Sequence, residues 1–97
     1  MQYTYADIAK MIDHSLLNPT ITIPELERGV QIAIDYDVAS VCIMPYYARR
    51  CAEVLAGSTV HPSTTIGFPH GVHTTTVKVR EAEQALDDGC LELDMVA

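Results

Sequence analysis

The sequence contains few positive charges. Six Lys and Arg residues stand against thirteen Asp and Glu residues, which gives a formal net charge of -7. A surface with this balance repels phosphate backbones and anionic lipids. We therefore expect neither nucleic acid nor a membrane among the partners of this chain. A small anionic substrate remains compatible, because one basic side chain or a helix N-terminus can hold a phosphate.

The sequence also lacks segments that direct a chain to a membrane or to an oxidising compartment. No apolar run approaches the roughly 20 residues that span a bilayer, and residues 1–7 lack the basic and apolar regions of a signal peptide. Three cysteines, Cys42, Cys51 and Cys90, form no C-x-x-C pair and have apolar neighbours, as reduced buried thiols do. These features predict a cytoplasmic protein.

Helical and strand periodicities alternate along the chain, with no linker between them. A short helix at 5–11 precedes predicted strands at 11–17, 38–44, 63–68 and 92–97. Three predicted helices separate the strands. The first begins at 22–24, the second covers 46–56, and the third runs from 74–76 to 88. The spacing of the apolar residues predicts the inward-facing side of each of the four helices. In chain order these residues are Tyr5, Ile8 and Ala9; Leu26, Val30 and Ile34; Tyr47, Cys51, Val54 and Leu55; and Val79, Ala82 and Leu86.

This alternation predicts an α/β fold with a parallel sheet in a single domain. Periodicity alone fits both an open doubly wound sheet and a (β/α)8 barrel, and four strands are half of the barrel plan. We expect the last strand to be buried, with Leu93, Met95 and Val96 in a core. A buried parallel strand needs a crossover helix and a second neighbour, so the sequence predicts that residues 1–97 are part of a larger domain.

Reactive groups of parallel α/β folds gather where strands end. The candidates by this rule are Asp13, His14 and Ser15, Cys42 and Met44, His70, and Asp94. Asp13 and Asp94 are the most informative, because a carboxylate on an apolar strand is costly to bury without a partner. Each could equally be a structural acid that fixes a loop. Cys42, inside an apolar strand, is more often inert core than a nucleophile.

The histidines give little support to a metal site. His70 and His73 form the closest pair, but no carboxylate or cysteine stands at a recognised metal-ligand spacing. We interpret His61 and His73 as solvated loop residues, and residues 67–71 as a turn rather than a phosphate-binding loop. A metal-dependent lyase therefore ranks as the third functional alternative.

Five segments together resemble the N-terminal half of the deoxyribose-phosphate aldolase family. They cover nearly the whole chain, in order and with compatible spacing: Ile12–Pro19, Ala39–Ile43, Ile66–Gly71, Val77–Ala82 and Glu92–Val96. The resemblance implies the first four strands of a (β/α)8 barrel, that is, a parallel half-barrel. It also implies a cytoplasmic class I aldolase of deoxyribonucleotide catabolism that uses no metal or other cofactor.

The implied reaction cleaves 2-deoxy-D-ribose 5-phosphate to D-glyceraldehyde 3-phosphate and acetaldehyde through a lysine Schiff base. In the resemblance, Asp94 matches the proton-relay aspartate and Asp13 matches an aspartate that supports the lysine network. Cys42 matches a cysteine that lines the substrate site. Lys10 and Lys78 are the only lysines, and both are expected on solvated helix faces away from strand ends.

The chain is thus predicted to carry the acid side of an aldolase site without its nucleophile, and to be inactive alone. A half-barrel exposes two strand edges, so we expect a homo-oligomer. The alternative is a non-catalytic, self-associating α/β module that keeps the family motifs for packing alone.

Overall fold

A computed structural model describes residues 2–97 and contains one four-stranded sheet. The helices are α1 (Tyr5–Ala9), α2 (Ile23–Tyr36), α3 (Ala48–Leu55) and α4 (Thr75–Asp87). The strands are β1 (Asp13–Leu16), β2 (Ser40–Ile43), β3 (His61–Ile66) and β4 (Glu92–Met95), and a short 3-10 turn, Pro45–Tyr47, precedes α3. All neighbouring strands are parallel, in the order β1-β2-β3-β4. The predicted parallel half-barrel is confirmed.

Two helices begin with reciprocal caps that the sequence encodes locally. At α2, the Thr22 hydroxyl accepts a hydrogen bond from the Glu25 amide at 3.3 Å, and the Glu25 carboxylate accepts one from the Thr22 amide at 3.3 Å. Thr4 and Asp7 form the same arrangement at α1. These pairs satisfy amides that have no partner within the helix, and so fix where each helix begins.

The core lies between the sheet and the helices that cover one of its faces. Leu26 and Val30 of α2 are 0% exposed, and they meet Val41 and Ile43 of β2 in one apolar cluster. Leu16 packs so closely on α2 that a Cβ on Gly29 would lie 2.7 Å from its Cδ2 atom. The predicted inner face of α2 is confirmed, although Ile34 is only partly buried.

The predicted inner faces of α1 and α4 are right only at their alanines, Ala9, which is buried, and Ala82, which packs against the core. In α4, Val79 and Leu86 are 51% and 55% exposed, whereas Ala85 is 3% exposed and packs in the core. The helix thus approaches the sheet through its small residues. In α1, Tyr5 and Ile8 are largely exposed and only Ala9 is buried. The size of the apolar residues did not indicate which of them would meet the sheet.

The expectation of a buried last strand is also wrong. Leu93 and Met95 are 37% and 68% exposed, and every residue of β4 is exposed. The reason is position, because β4 is an edge strand and pairs only with β3 within residues 2–97. Val96, just after the strand, is partly buried.

No helix among residues 2–97 combines the length and the apolar character needed to cross a bilayer.

Replacing Leu26 with Ala tests the core. We expect a loss of about 2–5 kcal/mol in the free energy of unfolding, because a fully buried leucine leaves a cavity. Urea denaturation followed by circular dichroism measures this. The matched control is Leu86→Ala on the exposed side of α4, with an expected change below about 0.5 kcal/mol. Equal losses for the two variants would contradict the packing described here.

Candidate active site

The face of the sheet that points away from the helices is lined by polar side chains. Side chains alternate along a strand, so the residues between the core positions point to this face. We call it the polar face; it comprises Asp13, Ser15, Ser40, Cys42, His61, Ser63, Thr65, Glu92 and Asp94. In a barrel such a face is the interior, where substrates bind near the C-terminal ends of the strands.

Three predicted site residues come together on the polar face. Ligand atoms of Asp13, Cys42 and Asp94 lie within 4.8 Å of one another, although they belong to β1, β2 and β4. In a flat sheet, β1 and β4 would be roughly 14 Å apart, three strand spacings of about 4.8 Å. The carboxylates meet because the sheet curls and because serine and threonine on β3 leave room between them.

The surroundings of Asp13 disfavour the charged form of its carboxyl, and one hydrogen bond partly offsets this effect. Burial raises the pKa of the Asp13 carboxyl above its ordinary value, and the nearby charge of Asp94 raises it further. The Ser40 hydroxyl donates a hydrogen bond of 2.7 Å to Asp13 and acts in the opposite direction. Asp13 therefore gains a proton more readily than a solvated aspartate.

Cys42 is a poor nucleophile in this environment. Its side chain is 1% exposed, and burial together with the charges of Asp13 and Asp94 raises the pKa of the thiol to about 12. The thiol is therefore protonated at neutral pH and can line the site, but it cannot attack a carbonyl. This agrees with the interpretation of Cys42 as inert.

The arrangement suits a cation placed between two carboxylates. Within residues 2–97, Asp13, Cys42 and Asp94 form the one group of three potential metal ligands. Hard cations and ammonium groups prefer oxygen ligands, so the carboxylates of Asp13 and Asp94 suit them better than the thiol of Cys42 does. His70 and His73 are exposed and lie outside this group.

The remaining candidates are distributed differently from the prediction. His14 lies on the helix side of β1, where it lines an apolar cavity. Met44 and His70 follow β2 and β3 respectively. His61 is exposed as expected but is the first residue of β3 rather than a loop residue, and its Nδ1 atom lies 3.1 Å from Glu92.

Five residues of the polar face were not among the predicted candidates, and three of them bear on its chemistry. Ser40 orients Asp13, Glu92 adds a third carboxylate, and Thr65 has a buried hydroxyl without a hydrogen-bond partner in the described part of the chain. Alternation along the strands could have placed Glu92 and Asp94 on one face, because they are two residues apart.

Both lysine amines make hydrogen bonds; Lys10 is exposed as predicted, whereas Lys78 is only partly exposed. The Lys10 amine contacts Asp37 at 2.8 Å and the carbonyl oxygens of Val38 and Thr59 at 3.0 and 3.1 Å. It thereby ties α1 to the loops before β2 and β3. The Lys78 amine donates to the carbonyl of Val96 at 2.9 Å, just beyond β4, so it does reach a strand end.

No family model matches the chain. It is 64% identical over 94 residues to the deoxyribose-phosphate aldolase of Rhodopirellula baltica, a match that covers 97% of this chain and 39% of that protein. A crystal structure of a proposed deoxyribose-phosphate aldolase from Coccidioides immitis matches with a TM-score of 0.90 and 35% identity, over 96% of this chain and 37% of that one.

A third match is the deoxyribose phosphate aldolase from Aeropyrum pernix, described as having a unique tetrameric structure. It gives a TM-score of 0.84 and 31% identity over 95% of this chain and 39% of that one. The chain thus spans about two-fifths of the length of the relatives that it matches.

Removing the charge of Asp94 tests the electrostatics of the site. In Asp94→Asn, we expect the pKa of Asp13 to fall, because a repulsive neighbour becomes neutral. Carbon-detected NMR titration of the aspartate carboxyls measures the shift. Asp87→Asn, which makes the same charge change at an exposed position on α4, is the control and should leave the pKa of Asp13 almost unchanged. An equal response to both variants would show that Asp13 and Asp94 do not interact directly.

Proposed function

We propose that this chain, which belongs to the deoxyribose-phosphate aldolase family and corresponds to its N-terminal part, supplies the acid side of an aldolase active site. The complete site would cleave 2-deoxy-D-ribose 5-phosphate to D-glyceraldehyde 3-phosphate and acetaldehyde. The single observation that carries the proposal is the convergence of Asp13 and Asp94 on the polar face. Two carboxylates at this distance repel each other, and a cation between them removes the repulsion. Schiff-base aldolase chemistry supplies such a cation as a lysine ammonium group.

The nucleophilic amine has to come from polypeptide outside residues 1–97. Lys10 is bound to Asp37 and two carbonyls, which hold its amine away from the polar face. Lys78 projects from α4, on the helix side of the sheet, and donates to Val96. Both amines are therefore positioned by contacts outside the polar face.

In the proposed reaction, an amine from the complementary polypeptide condenses with the substrate aldehyde and releases water. The resulting iminium accepts the electron pair of the carbon-carbon bond that breaks, while the neighbouring hydroxyl loses its proton and becomes the new aldehyde. Asp94 receives this proton, directly or through water, and returns it to the enamine carbon. Water then hydrolyses the second iminium, which releases acetaldehyde and restores the amine.

Asp13 and Cys42 have supporting roles in this proposal. Asp13, oriented by Ser40, holds the lysine network by its negative charge. Cys42, which is protonated and buried, lines the site without reacting. The substrate is a small phosphosugar or aldehyde, and its phosphate has to be held by groups outside this chain, because the polar face is acidic.

Borohydride trapping tests where the nucleophile is. We expect the chain alone, incubated with acetaldehyde and borohydride, to show no added ethyl group by mass spectrometry. The chain co-expressed with the part of the Rhodopirellula baltica aldolase that follows the matched segment should give an adduct on that partner. An ethyl adduct on Lys10 or Lys78 would overturn the proposal.

Activity of the same co-expressed pair tests the role of Asp94. We expect Asp94→Asn to lower kcat for 2-deoxy-D-ribose 5-phosphate by about 10²–10⁴-fold, the usual contribution of a general acid-base group. Asp87→Asn should leave kcat unchanged. Retention of full activity by Asp94→Asn would remove Asp94 from the proton transfer.

We also propose that the isolated chain self-associates. Within residues 2–97, both β1 and β4 have an edge without a partner strand, and Leu91 and Met95 near the β4 edge are 65% and 68% exposed. Such edges favour pairing between chains. Light scattering on the purified chain should give the mass of a dimer or a larger assembly, and a stable monomer at micromolar concentration would contradict this expectation.

A further inference from the structure

Two charged residues of α4 bind the backbone at the ends of the neighbouring strands. Lys78 and Glu81 lie three positions apart, on one side of the helix, and both are only partly exposed. The Lys78 amine donates to the carbonyl of Val96 at 2.9 Å, and the Glu81 carboxylate accepts a hydrogen bond from the Gly67 amide at 2.7 Å. We call Lys78 and Glu81 the α4 clamp.

Gly67, which directly follows β3, accommodates both residues of the α4 clamp. It is buried, and the Glu81 carboxylate satisfies its amide. Its φ of 70° is one that glycine adopts readily, and a Cβ at this position would lie 3.1 Å from the Cε atom of Lys78. A side chain at position 67 would therefore push the Lys78 stem away from Val96. The two contacts of the clamp thus depend on the same glycine.

Val96 is held from two sides just beyond β4. Its amide donates to the carbonyl of Ile66 at 2.9 Å, while its carbonyl accepts from Lys78. Its side chain lies against Gly71, where a Cβ would come within 2.8 Å of the Cγ1 atom of Val96. Since β4 pairs only with β3 within residues 2–97, the Lys78 contact ties the end of this edge strand to a second element.

The position of Val96 constrains that of Asp94. Asp94 pairs with Thr65 of β3 and lies two residues before Val96, roughly 7 Å along an extended chain. A shift of the strand end therefore moves the Asp94 carboxylate relative to Asp13. Displacing a reacting group by about 1 Å can lower a rate about 10²-fold.

The apolar packing of α4 on the sheet uses other residues. Ala85 is 3% exposed, and both Ala85 and Ala82 contact the core. Lys78 and Glu81 instead contact polar backbone groups at the ends of β3 and β4. The helix is thus held against the sheet by its alanines, and the clamp contributes to where the strand ends lie.

We infer that Lys78 and Glu81 are positioning residues for Asp94. From the helix side of the sheet they fix the C-terminal ends of β3 and β4, and with them the carboxylate that accepts the proton. The inference rests on the proposed function in one respect, namely that Asp94 transfers this proton.

Kinetics of the chain co-expressed with the remainder of the Rhodopirellula baltica aldolase test Lys78. Lys78→Met keeps an apolar stem and removes the amine. We expect kcat to fall about tenfold or more and KM to change by less than about twofold, because Asp94 is displaced while the contacts of the complementary polypeptide with the substrate remain. Lys78→Arg, which restores a donor, should recover most of kcat. Arg80→Met makes the same charge change at an exposed position of α4 and should leave kcat unchanged.

Glu81 offers a second pair of variants. Glu81→Gln keeps an oxygen that accepts from Gly67 and should retain kcat, whereas Glu81→Leu removes the acceptor and should lower kcat as Lys78→Met does. Either loss is sufficient if the other variant does not fold. When Asp94→Asn is already present, Lys78→Met should cause no further loss, because Lys78 acts through Asp94.

The pKa of Asp13 supplies a measurement that is independent of catalysis. Loss of a positive charge by itself raises the pKa of a carboxyl, but displacement of Asp94 removes one cause of the raised pKa of Asp13. In carbon-detected NMR titrations of the chain alone, we expect this pKa to fall in Lys78→Met and not in Arg80→Met. Circular dichroism verifies that both variants are folded.

Two results would overturn the inference. One is full kcat in Lys78→Met and Glu81→Leu in a pair whose Asp94→Asn variant is impaired. The other is an equal response of the Asp13 pKa to Lys78→Met and Arg80→Met. Full kcat in Asp94→Asn would instead contradict the proposed function, and the Asp13 pKa would then decide whether the α4 clamp positions Asp94.

Discussion

The approach of Asp13 to Asp94 is the constraint on which the rest of the structure depends. Their strands are separated by two others, so the carboxylates meet only if the sheet curls. Curling in turn requires small side chains on the inner side of the bend, and Ser40, Ser63 and Thr65 provide them. The outer side is filled by the branched residues of β2 and β3 packing against the helices. One sheet therefore carries its stability on one face and its chemistry on the other.

This division explains how the chain tolerates charge repulsion. Leu26, Val30, Val41 and Ile43 are fully buried between the helices and the sheet, and their burial does not depend on the polar face. The stability that the core contributes can therefore offset the repulsion among Asp13, Glu92 and Asp94, which lie on the opposite face of the sheet. Sites that need shifted pKa values are commonly built in this way, on an element whose stability comes from other contacts.

The sequence predicted what is set by local and periodic patterns. Thr22 and Glu25 specify the start of α2, and the alternation of strands with helices was sufficient to indicate a parallel sheet. The rule that reactive groups lie where strands end selected Asp94, which is near the end of β4. It also selected Asp13, but this residue begins β1 instead of ending it. The inward face of α4, the exposure of Met95 and the binding of Lys10 by two loops depend on contacts distant in sequence, which neither spacing nor residue type reveals.

The raised pKa of Asp13 affects how the stability of the half-barrel depends on pH. The pKa of the Asp13 carboxyl is higher in the folded state than its ordinary value of 3.8, so the folded state binds the proton more tightly. The stability that this proton contributes is lost as the pH rises from the ordinary pKa through the raised one. At neutral pH the folded chain is thus less stable than it would be with Asp13 protonated. A cation beside Asp13 and Asp94 would lower this pKa and remove the loss. An ammonium group of the kind that the proposed chemistry requires would therefore also stabilise the half-barrel.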